Sequence, residues 1–281
     1  VRKVEYSVSE DALMHKLSEG CEESDLSKYF SGDALYGDDF SSEQIAEWFE
    51  DEKEGYAALG AKNAEEYQYV YHQLNIRHGF KYLQGHSFSS ALGVGSAYGD
   101  EFQPIASKIQ NLTILEASDA LSGRDDVHGI PCRYEHPKES GVMPFDDSSF
   151  DLVSVLGVLH HIPNVSQVLG ECSRVLACGG KMILREPIVS MGDWRKPRYG
   201  LTKRERGIPI DVLKEIITGK GFRIVSESLC GFPPLLRVSH ALGVSPFQNR
   251  FVTGLDAFLS NSFRWNLRYH AESFFQKIRP T

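Results

Sequence analysis

The stretch that decides the fold is ALGVGSAYGDEF, which spans Ala91–Phe102. A short apolar run leads into glycines at positions 93, 95 and 99, and a helical pattern follows. Glycine is needed at such a turn because the backbone must turn sharply and let a ligand approach within contact distance. The pattern therefore predicts a β-strand, a ligand-binding turn and a helix. A tight strand-to-helix turn without a ligand is the structural alternative for this segment taken alone.

Short apolar runs alternate with helical stretches on either side of this turn. We predict strands at Ser90–Val94, Leu112–Glu116, Cys132–Glu135, Asp151–Leu156, Lys181–Glu186 and Phe222–Leu229. We predict helices at Glu101–Ile109, Val165–Ala177 and Ile210–Gly219, and upstream at Asn63–Gly79 and after a capping box at Ser41 and Gln44. Strands that alternate with helices are typical of a doubly wound, mostly parallel α/β sheet.

The chain divides into three predicted regions. Residues 1–80 are predicted to form a helical N-terminal cap or lid, residues 81–230 a Rossmann-like core, and residues 231–281 a helical C-terminal extension. The last region is rich in aromatic residues and arginines, and we predict no strand after Leu229.

A carboxylate at the end of the second predicted strand points to a nucleoside ligand. Glu116 lies there, and a carboxylate at this place can accept both ribose hydroxyls of an adenosine cofactor. A dinucleotide site would need a small residue where Tyr98 stands. Asp100 and Glu101 in the first turn of the helix would also repel a diphosphate. The turn therefore disfavours NAD.

The segment from Met143 to Pro187 carries the most specific motif. It reads MPFDDSSFDLVSVLGVLHHIPNVSQVLGECSRVLACGGKMILREP. This order of motifs closely resembles class I S-adenosylmethionine-dependent methyltransferases, in the methyltransferase-11-type branch with the pattern LPF-x-D-x-S-FD, LHH, E-x-x-RVL-x-x-GG and a strand ending in EP. With the glycine turn and Glu116, the resemblance covers about residues 80–230.

The resemblance implies a seven-stranded sheet in the order 3-2-1-4-5-7-6, with the seventh strand antiparallel. Two features depart from the family pattern. Ala91 stands where the first motif usually has an acidic residue, which puts the affinity for the methionine ammonium in doubt. The seventh strand is also not apparent, so either it lies beyond Thr281 or an unexpected segment fills its place.

The resemblance also implies which residues bind the cofactor, S-adenosylmethionine, whose product is S-adenosylhomocysteine. Each is carried over by its place in a motif. The glycine turn is expected to lie beside the methionine and the ribose, Glu116 to bind the ribose hydroxyls, and the residue after it to contact the adenine. Glu139 or its neighbour Ser140 is expected to bind the adenine amino group, and the end of the fourth strand to line the methionine arm. The expected residues are Gly93, Gly95, Ser96, Glu116, Ala117, Glu139, Ser140, Leu156, Gly157 and Val158. Ordinary core packing is the alternative for Leu156 and Val158.

Two histidines follow the fourth strand. If the acceptor is a hydroxyl, a base must remove its proton, and a histidine suits that task near neutral pH. His161 or His160 is the candidate base. The alternative is that the pair only holds the loop by hydrogen bonds, as is common in this branch. Asn164 is interpreted as a helix N-cap.

The segments that flank the core carry the clues to the acceptor. After Glu186, a basic run with Trp194 follows the fifth strand, at the edge where open α/β sheets bind ligands. Its arginines could clamp a phosphate or carboxylate, and the alternative is a solvated basic loop. The candidate acceptor residues are Glu186, Trp194, Arg195, Arg198, Arg204 and Arg206. Trp48, Glu52 and Tyr56 share one helical stripe that could form part of a lid.

The segment from residue 185 onward resembles, more weakly, methyltransferases of bacterial surface-glycan biosynthesis. We therefore expect O-methylation of a small, anionic, sugar-containing or phosphate-bearing acceptor. The alternative acceptor is a lipid-linked or phenolic molecule, for which tail aromatics such as Phe247, Phe251, Phe258, Phe263 and Trp265 could form a pocket or touch a membrane. An alternative of another class is a non-catalytic protein that binds the cofactor, to which Ala91 points.

Composition and charge exclude several classes. Residues 1–56 carry 16 acidic and 5 basic side chains, and residues 186–281 carry 8 acidic and 15 basic ones, in a chain of net charge -8. This distribution argues against a general nucleic-acid binder. The sequence has neither a long apolar run nor a signal-peptide pattern, so we expect no stable membrane insertion. Five scattered cysteines without a CxxC pair predict a cytoplasmic protein with no metal.

Overall fold

The computed structural model describes residues 28–29, 32–59, 67–188, 198, 200–262 and 270–277. Its centre is one eight-stranded sheet. The strands are β1 (Ala91–Val94), β2 (Leu112–Leu115), β3 (Asp126–Val127), β4 (Ile130–Glu135), β5 (Phe150–Leu156), β6 (Leu176–Pro187), β7 (Phe222–Cys230) and β8 (His270–Lys277).

The strand order is β3-β4-β2-β1-β5-β6-β8-β7. Without the short edge strand β3, this is the predicted order 3-2-1-4-5-7-6. Strand β1 lies parallel to β2 on one side and to β5 on the other, with Gly93 opposite Ile114 and Ser154. The carboxyl ends of β1, β2 and β5 therefore meet at one edge of the sheet, where a doubly wound fold binds its ligand.

The seventh strand of the fold is β8. It lies antiparallel between β6 and β7, with residue 271 opposite Glu186 of β6. Of the two sequence-based alternatives, the one in which an unexpected segment fills this place is confirmed. The prediction that no strand follows Leu229 is wrong, because residues 270–277 of the predicted helical extension form a strand.

The α-helices are α1 (Ser42–Leu59), α2 (His72–His78), α3 (Val165–Val175), α4 (Ile210–Gly219), α5 (Pro233–Ala241) and α6 (Arg250–Ser262). Helix α1 begins at the predicted capping box, in which the Ser41 amide donates to Gln44 Oε1 at 3.0 Å and the Gln44 amide donates to Ser41 Oγ at 3.4 Å. Helix α4 matches its predicted bounds.

Two predicted helices differ from the structure. Residues 67–71 of the predicted helix Asn63–Gly79 are not helical, and only α2 forms within the part described. The helix predicted at Glu101–Ile109 is instead a 3-10 helix over Asp100–Lys108. Pro104 lies inside it, and a proline removes a donor that a regular α-helix would need.

The core lies on both faces of the sheet because neighbouring residues of a strand point to opposite sides. On one face, Leu92 and Val153 pack with α3 and α4 residues such as Leu169 and Leu213. On the other face, Leu152 and Ile114 pack with residues from the segments before β1 and after the glycine turn. The central strands β1, β2 and β5 are buried on both sides, so the strand ends that form the site are held in fixed positions.

Candidate active site

A cavity opens where β1, β2 and β5 end. Its empty volume is about 910 Å³ when the open space at its mouth is counted. The wall combines three strand ends with the segment 137–143, the beginning of α3 and one side of α1, which contributes Phe49, Glu52 and Lys53. A cavity of this size at the carboxyl edge of an open sheet is typical of a small-molecule or cofactor site.

The glycine turn brings the backbone close to the opposite wall. Gly95 has a φ angle of +60°, which favours glycine. A Cβ atom at this position would lie 2.6 Å from Val158 Cγ1. At Gly93, a Cβ atom would lie 2.9 Å from a ring carbon of Phe102. The turn therefore packs too closely against its neighbours to accept a side chain at either glycine.

Glu116 lies in the cavity wall at the end of β2. Its side chain is held by backbone donors, since Oε2 accepts from the Ala97 amide at 3.1 Å and Oε1 accepts from the Ser118 amide at 3.2 Å. Burial raises the pKa of Glu116, and the backbone donors oppose that rise. Each oxygen has a further lone pair, so the fixed carboxylate can accept two hydroxyl groups of a ribose.

The far end of the cavity is formed by residues 137–143 and the beginning of α3. Glu139 lines the cavity there, while Ser140 contributes a backbone carbonyl that accepts from Asn164 Nδ2 at 2.8 Å. Asn164 lies at the N-cap position of α3, as predicted, although its side chain makes no capping hydrogen bond. Its Oδ1 is buried and has no hydrogen-bond partner among the described residues. Asn164 is one of the residues that line the cavity, so this acceptor lies close to it.

His161 and Glu52 form a pair in the cavity wall. The ring nitrogen His161 Nδ1 lies 2.8 Å from Glu52 Oε2. The same oxygen accepts from Thr202 Oγ1 at 2.5 Å, and Glu52 Oε1 accepts from the Arg204 amide at 2.7 Å. The backbone of His161 is fixed as well, because its carbonyl accepts from Trp48 Nε1 at 2.8 Å.

The electrostatics of Glu52 favour a carboxylate. Burial opposes its ionisation, but the hydrogen bonds from His161, Thr202 and the Arg204 amide together lower the pKa of Glu52. An ionised Glu52 accepts a proton-bearing Nδ1, which fixes the tautomer of His161 and directs proton exchange to Nε2. A histidine held in this way by a carboxylate can act as a general base.

His160 does not line the cavity and instead holds the turn that follows β5. Its Nδ1 lies 2.7 Å from Glu186 Oε2. Glu186 also accepts from the Val158 and Leu159 amides at 2.9 and 2.8 Å, so it fixes the turn that carries His161. Burial of the ring lowers the pKa of His160, with a contribution from the neighbouring His161. Burial opposes the ionisation of Glu186, but its bond to His160 and the two amides together lower its pKa.

Arg206 is buried and fixes the same turn from the other side. Its guanidinium group donates to five carbonyl oxygens at 2.6 to 3.2 Å, those of Tyr36, Leu159, His160, Ile162 and Pro163. Burial lowers the pKa of Arg206 to about 10. This arginine therefore stabilises the loop that carries the histidines and does not face the cavity.

The other arginines of the basic run that the structure describes are also engaged within the chain. Arg204 Nε lies 2.6 Å from Asp51 Oδ2, and its Nη2 lies 2.6 Å from Glu47 Oε1. Arg198 donates to the carbonyls of Glu205, Thr202 and Lys203. The basic run thus docks on the acidic helix α1. Trp194 and Arg195 lie outside the described residues, as does the side chain of Tyr56.

The cavity brings together six of the ten expected cofactor residues, Gly95, Glu116, Ala117, Glu139, Gly157 and Val158. The other four lie behind its wall. Leu156 packs in the core, Ser140 contributes only the carbonyl described above, and Gly93 and Ser96 support the turn. Of the catalytic candidates, His161 lines the cavity and His160 does not. Glu186, Arg198, Arg204 and Arg206 also lie outside its lining.

The position of Ala91 is fully buried in the core. A carboxylate is nevertheless present near this strand, because Glu101 Oε1 accepts from Ser96 Oγ at 3.0 Å and from Ser154 Oγ at 2.6 Å. Burial raises the pKa of Glu101. The partner of Glu101 on β5 is not visible from the glycine motif alone.

His160, His161 and Glu205 each offer a ligand atom within 4.8 Å of the others. Both histidines are already held at Nδ1 by carboxylates, and His160 Nε2 lies 3.6 Å from Glu205 Oε1. We assign no metal to this group. Among the described helices, none is both long enough and apolar enough to cross a membrane.

Comparisons with known proteins agree with this geometry. Residues 92–184 match the family model of a methyltransferase domain. The ubiquinone/menaquinone biosynthesis C-methyltransferase UbiE of Xylella fastidiosa is 26% identical over 48% of this chain and 54% of its own length. The ubiquinone biosynthesis O-methyltransferase of Maricaulis maris is 29% identical over 33% of this chain and 38% of its own length. The chain thus spans about half or less of these relatives.

A solved structure supports the fold. The [4+2]-cyclase SpnF superimposes with a TM-score of 0.54 and 16% identity, covering 86% of this chain and 98% of the cyclase. The matched segment 92–184 contains Gly95, Glu116 and His161, which line the cavity. Residues 92–184 are therefore similar to a methyltransferase domain, and the fold agrees with that similarity.

Proposed function

We propose that this protein transfers a methyl group from S-adenosylmethionine to a hydroxylated aromatic acceptor with an apolar substituent, such as a quinol. In this proposal His161 is the general base and Glu52 is its positioning residue. The observation that carries the proposal is the 2.8 Å contact between His161 Nδ1 and Glu52 Oε2 in the wall of the cavity.

The residues of the cavity fit the cofactor. Glu116 offers a fixed carboxylate for the ribose, Gly95 lines the cavity without a side chain, and Asn164 Oδ1 is a buried acceptor without a partner among the described residues. When bound, S-adenosylmethionine supplies an electrophilic methyl group on a positively charged sulfur. The chain's own part is to bind the acceptor in line with that group and to keep water out.

His161 supplies the remaining chemistry. It takes the proton of the acceptor hydroxyl at Nε2, which makes the acceptor a better nucleophile. The ionised Glu52 stabilises the imidazolium that forms, and Thr202 and the Arg204 amide hold Glu52 in place. The same proton transfer serves methylation at the oxygen and at an activated ring carbon, so the product identifies the atom that is methylated.

The walls of the cavity favour an apolar acceptor over an anionic sugar. Phe49 and Ile162 line the cavity together with His161, and Lys53 and Lys138 are the lysines in the lining. The described arginines of the basic run are bound to α1 or to backbone carbonyls. The two relatives named above are enzymes of ubiquinone and menaquinone biosynthesis, which supports a quinol-like acceptor. The sugar acceptor stays a prediction that the same assay tests.

One of the comparisons favours a second candidate function, in which the protein binds the cofactor but does not transfer its methyl group. SpnF shares the fold and is a [4+2]-cyclase, so the fold alone does not imply methyl transfer. A protein that binds the cofactor without using it would form no S-adenosylhomocysteine with any acceptor. Turnover therefore separates the two functions.

The experiment measures S-adenosylhomocysteine formation with two groups of acceptors, alkyl-substituted hydroquinones and catechols in one and sugar phosphates and nucleotide sugars in the other, and with a blank that contains no acceptor. Mass spectrometry then locates the added methyl group. Turnover with the quinols, lost in His161→Asn although cofactor binding is retained, supports the proposal. Turnover with the sugars alone overturns the acceptor assignment, and cofactor binding without any turnover overturns the catalytic one.

A further inference from the structure

Two helices at the end of the chain expose large apolar side chains. Seven large hydrophobic residues are exposed in the described part of the chain, and five of them lie between positions 238 and 258. These are Val238, Leu242, Phe251, Leu255 and Phe258. The first two lie on or directly after α5, and the other three lie on α6.

Helix α6 buries polar residues and exposes its apolar stripe to solvent. Phe251, Leu255 and Phe258 follow the spacing of one helical stripe and are 88%, 47% and 63% exposed. The buried residues of the helix are all polar, namely Thr253, Asp256 and Ser260. A surface helix of a globular protein normally turns its apolar stripe toward the core, so this arrangement needs an explanation.

The buried polar face explains why α6 keeps this orientation. Asp256 accepts from the Gly231 and Phe232 amides at 2.9 and 2.6 Å, at the beginning of α5. Thr253 Oγ1 donates to the Pro246 carbonyl at 2.9 Å. A rotation that buried the phenylalanines would break these bonds, so the hydrogen bonds fix the apolar stripe in solvent.

The surroundings of the stripe are basic. Asp256 is the only acidic residue between positions 231 and 262, and it is buried. A groove beside α6 is lined by Gln73, Ile76, Arg77, Lys81 and Arg250, none of which is acidic. Arg77 reaches over α6 at Gly254, where a Cβ atom would lie 3.0 Å from its Nη2. Three cations therefore lie next to the apolar stripe in a chain of net charge -8.

We propose that this surface, α5, α6 and the groove of Arg77, Lys81 and Arg250, docks on an anionic phospholipid bilayer. The apolar stripe enters the boundary between headgroups and acyl chains, and the groove binds lipid phosphates. Exposed apolar residues combined with cations are the features of peripheral membrane binding, while a neutral apolar partner would not need the cations. Docking depends on neither the cofactor nor the acceptor, so it stands apart from the proposed function.

The test is co-sedimentation of the whole protein with vesicles of phosphatidylcholine alone and with phosphatidylglycerol added. We expect binding to the anionic vesicles that weakens as the salt concentration rises. Phe251→Ser and Phe258→Ser should each weaken it roughly tenfold or more, since a buried phenylalanine side chain contributes at least that much. The triple variant Arg77→Gln, Lys81→Gln, Arg250→Gln should weaken it by about two orders of magnitude, at about fivefold for each basic residue near the surface.

Two matched controls show whether the effect is local. Val225→Ser changes an exposed apolar residue of β7, and Lys108→Gln removes a cation from the 3-10 helix after the glycine turn. Both should leave vesicle binding unchanged, and circular dichroism should show that every variant keeps its fold. Equal losses in the control variants would overturn the proposal.

Other occupants of the surface give different results. Equal binding to neutral and anionic vesicles would overturn the role of the groove. A dimer in analytical ultracentrifugation that Phe251→Ser dissociates, without vesicle binding, would assign the surface to a second copy of the chain. If millimolar inorganic phosphate stabilised the protein against unfolding in the absence of lipid, and the protein did not bind vesicles, the groove would be assigned to a soluble anion.

Discussion

Replacing Glu52 by glutamine tests the assigned base directly, because the change keeps the size of the side chain and replaces one carboxylate oxygen by an NH₂ group. In the wild-type protein Glu52 Oε1 accepts from the Arg204 amide at 2.7 Å. Glu52 Oε2 accepts from Thr202 Oγ1 at 2.5 Å and lies 2.8 Å from His161 Nδ1. A glutamine that keeps its carbonyl toward Arg204 must present its NH₂ group to His161.

The expected consequence is a change of tautomer. Because the glutamine NH₂ donates, His161 Nδ1 has to accept, and the ring proton moves to Nε2. His161 then cannot take a proton from the acceptor at Nε2. General base catalysis contributes about 10²- to 10⁴-fold, so kcat should fall by that factor, which corresponds to about 3 to 5 kcal/mol in the barrier.

Two measurements check this result. Nitrogen-15 NMR of histidine-labelled protein reports the tautomer without any acceptor, and the turnover assay reports kcat with the quinol that gives product. Glu47→Gln is the matched control, because Glu47 lies on the same helix and is paired with Arg204 at 2.6 Å. Its carboxylate is half exposed, so its removal should cost less than about 1 kcal/mol of stability and leave the tautomer unchanged.

One combination of results would refute the reasoning. If Glu52→Gln kept the wild-type tautomer and lost no more activity than Glu47→Gln, the carboxylate would not position His161. Unchanged cofactor binding in both variants is required for this comparison, because Glu52 also lines the cavity.

Three further predictions concern the turn, the fold and the adenine end of the cavity. Arg206→Leu should lower the free energy of unfolding by about 3 kcal/mol or more in chemical denaturation, because five carbonyl oxygens lose their donor; a loss below about 1 kcal/mol would contradict this role. Burial, with Lys81 and Arg77, lowers the pKa of His78 to about 4, so the unfolded chain binds a proton there below about pH 6.5 while the folded chain does not. Stability from this group is therefore present above pH 6.5 and lost as the pH falls toward 4, and at pH 5 the loss should be about 2 kcal/mol, absent in His78→Gln; equal pH dependence of the two proteins would contradict it. Asn164→Leu should weaken S-adenosylmethionine binding about tenfold in calorimetry, because its buried Oδ1 is then no longer available to the adenine; unchanged affinity would remove Asn164 from the site.

The central strands and the cofactor cavity were predictable because their signals are local. The glycine turn, the apolar strands and the histidine pair each lie within a few residues, and a family pattern repeats their spacing. Strand β8 was missed because its identity depends on pairing with β6 and β7, about 90 and 45 residues earlier in the chain. The segment YHAESFFQKI shows no clean alternation that would reveal a strand.

The site was predicted in part for the same reason. His161 was expected as a base, and Glu52 was expected on the side of a lid, but their contact joins residues 109 positions apart. The basic run after β6 looked like an anion clamp because its partners lie about 150 positions earlier, where Asp51 pairs with Lys203 and Arg204. Charges that neutralise each other across such a distance cannot be recognised from local composition.

Isothermal titration calorimetry with S-adenosylmethionine, S-adenosylhomocysteine and NAD tests the central claim most directly. We predict that the two adenosyl compounds bind one site per chain, that NAD does not, and that Glu116→Gln weakens the binding about 10- to 100-fold, as expected for lost hydrogen bonds to a charged group. Glu135→Gln, at the end of the neighbouring strand β4, is the control that should bind like the wild type. Binding of NAD in place of the adenosyl compounds, or equal binding by Glu116→Gln and the wild type, would contradict the account.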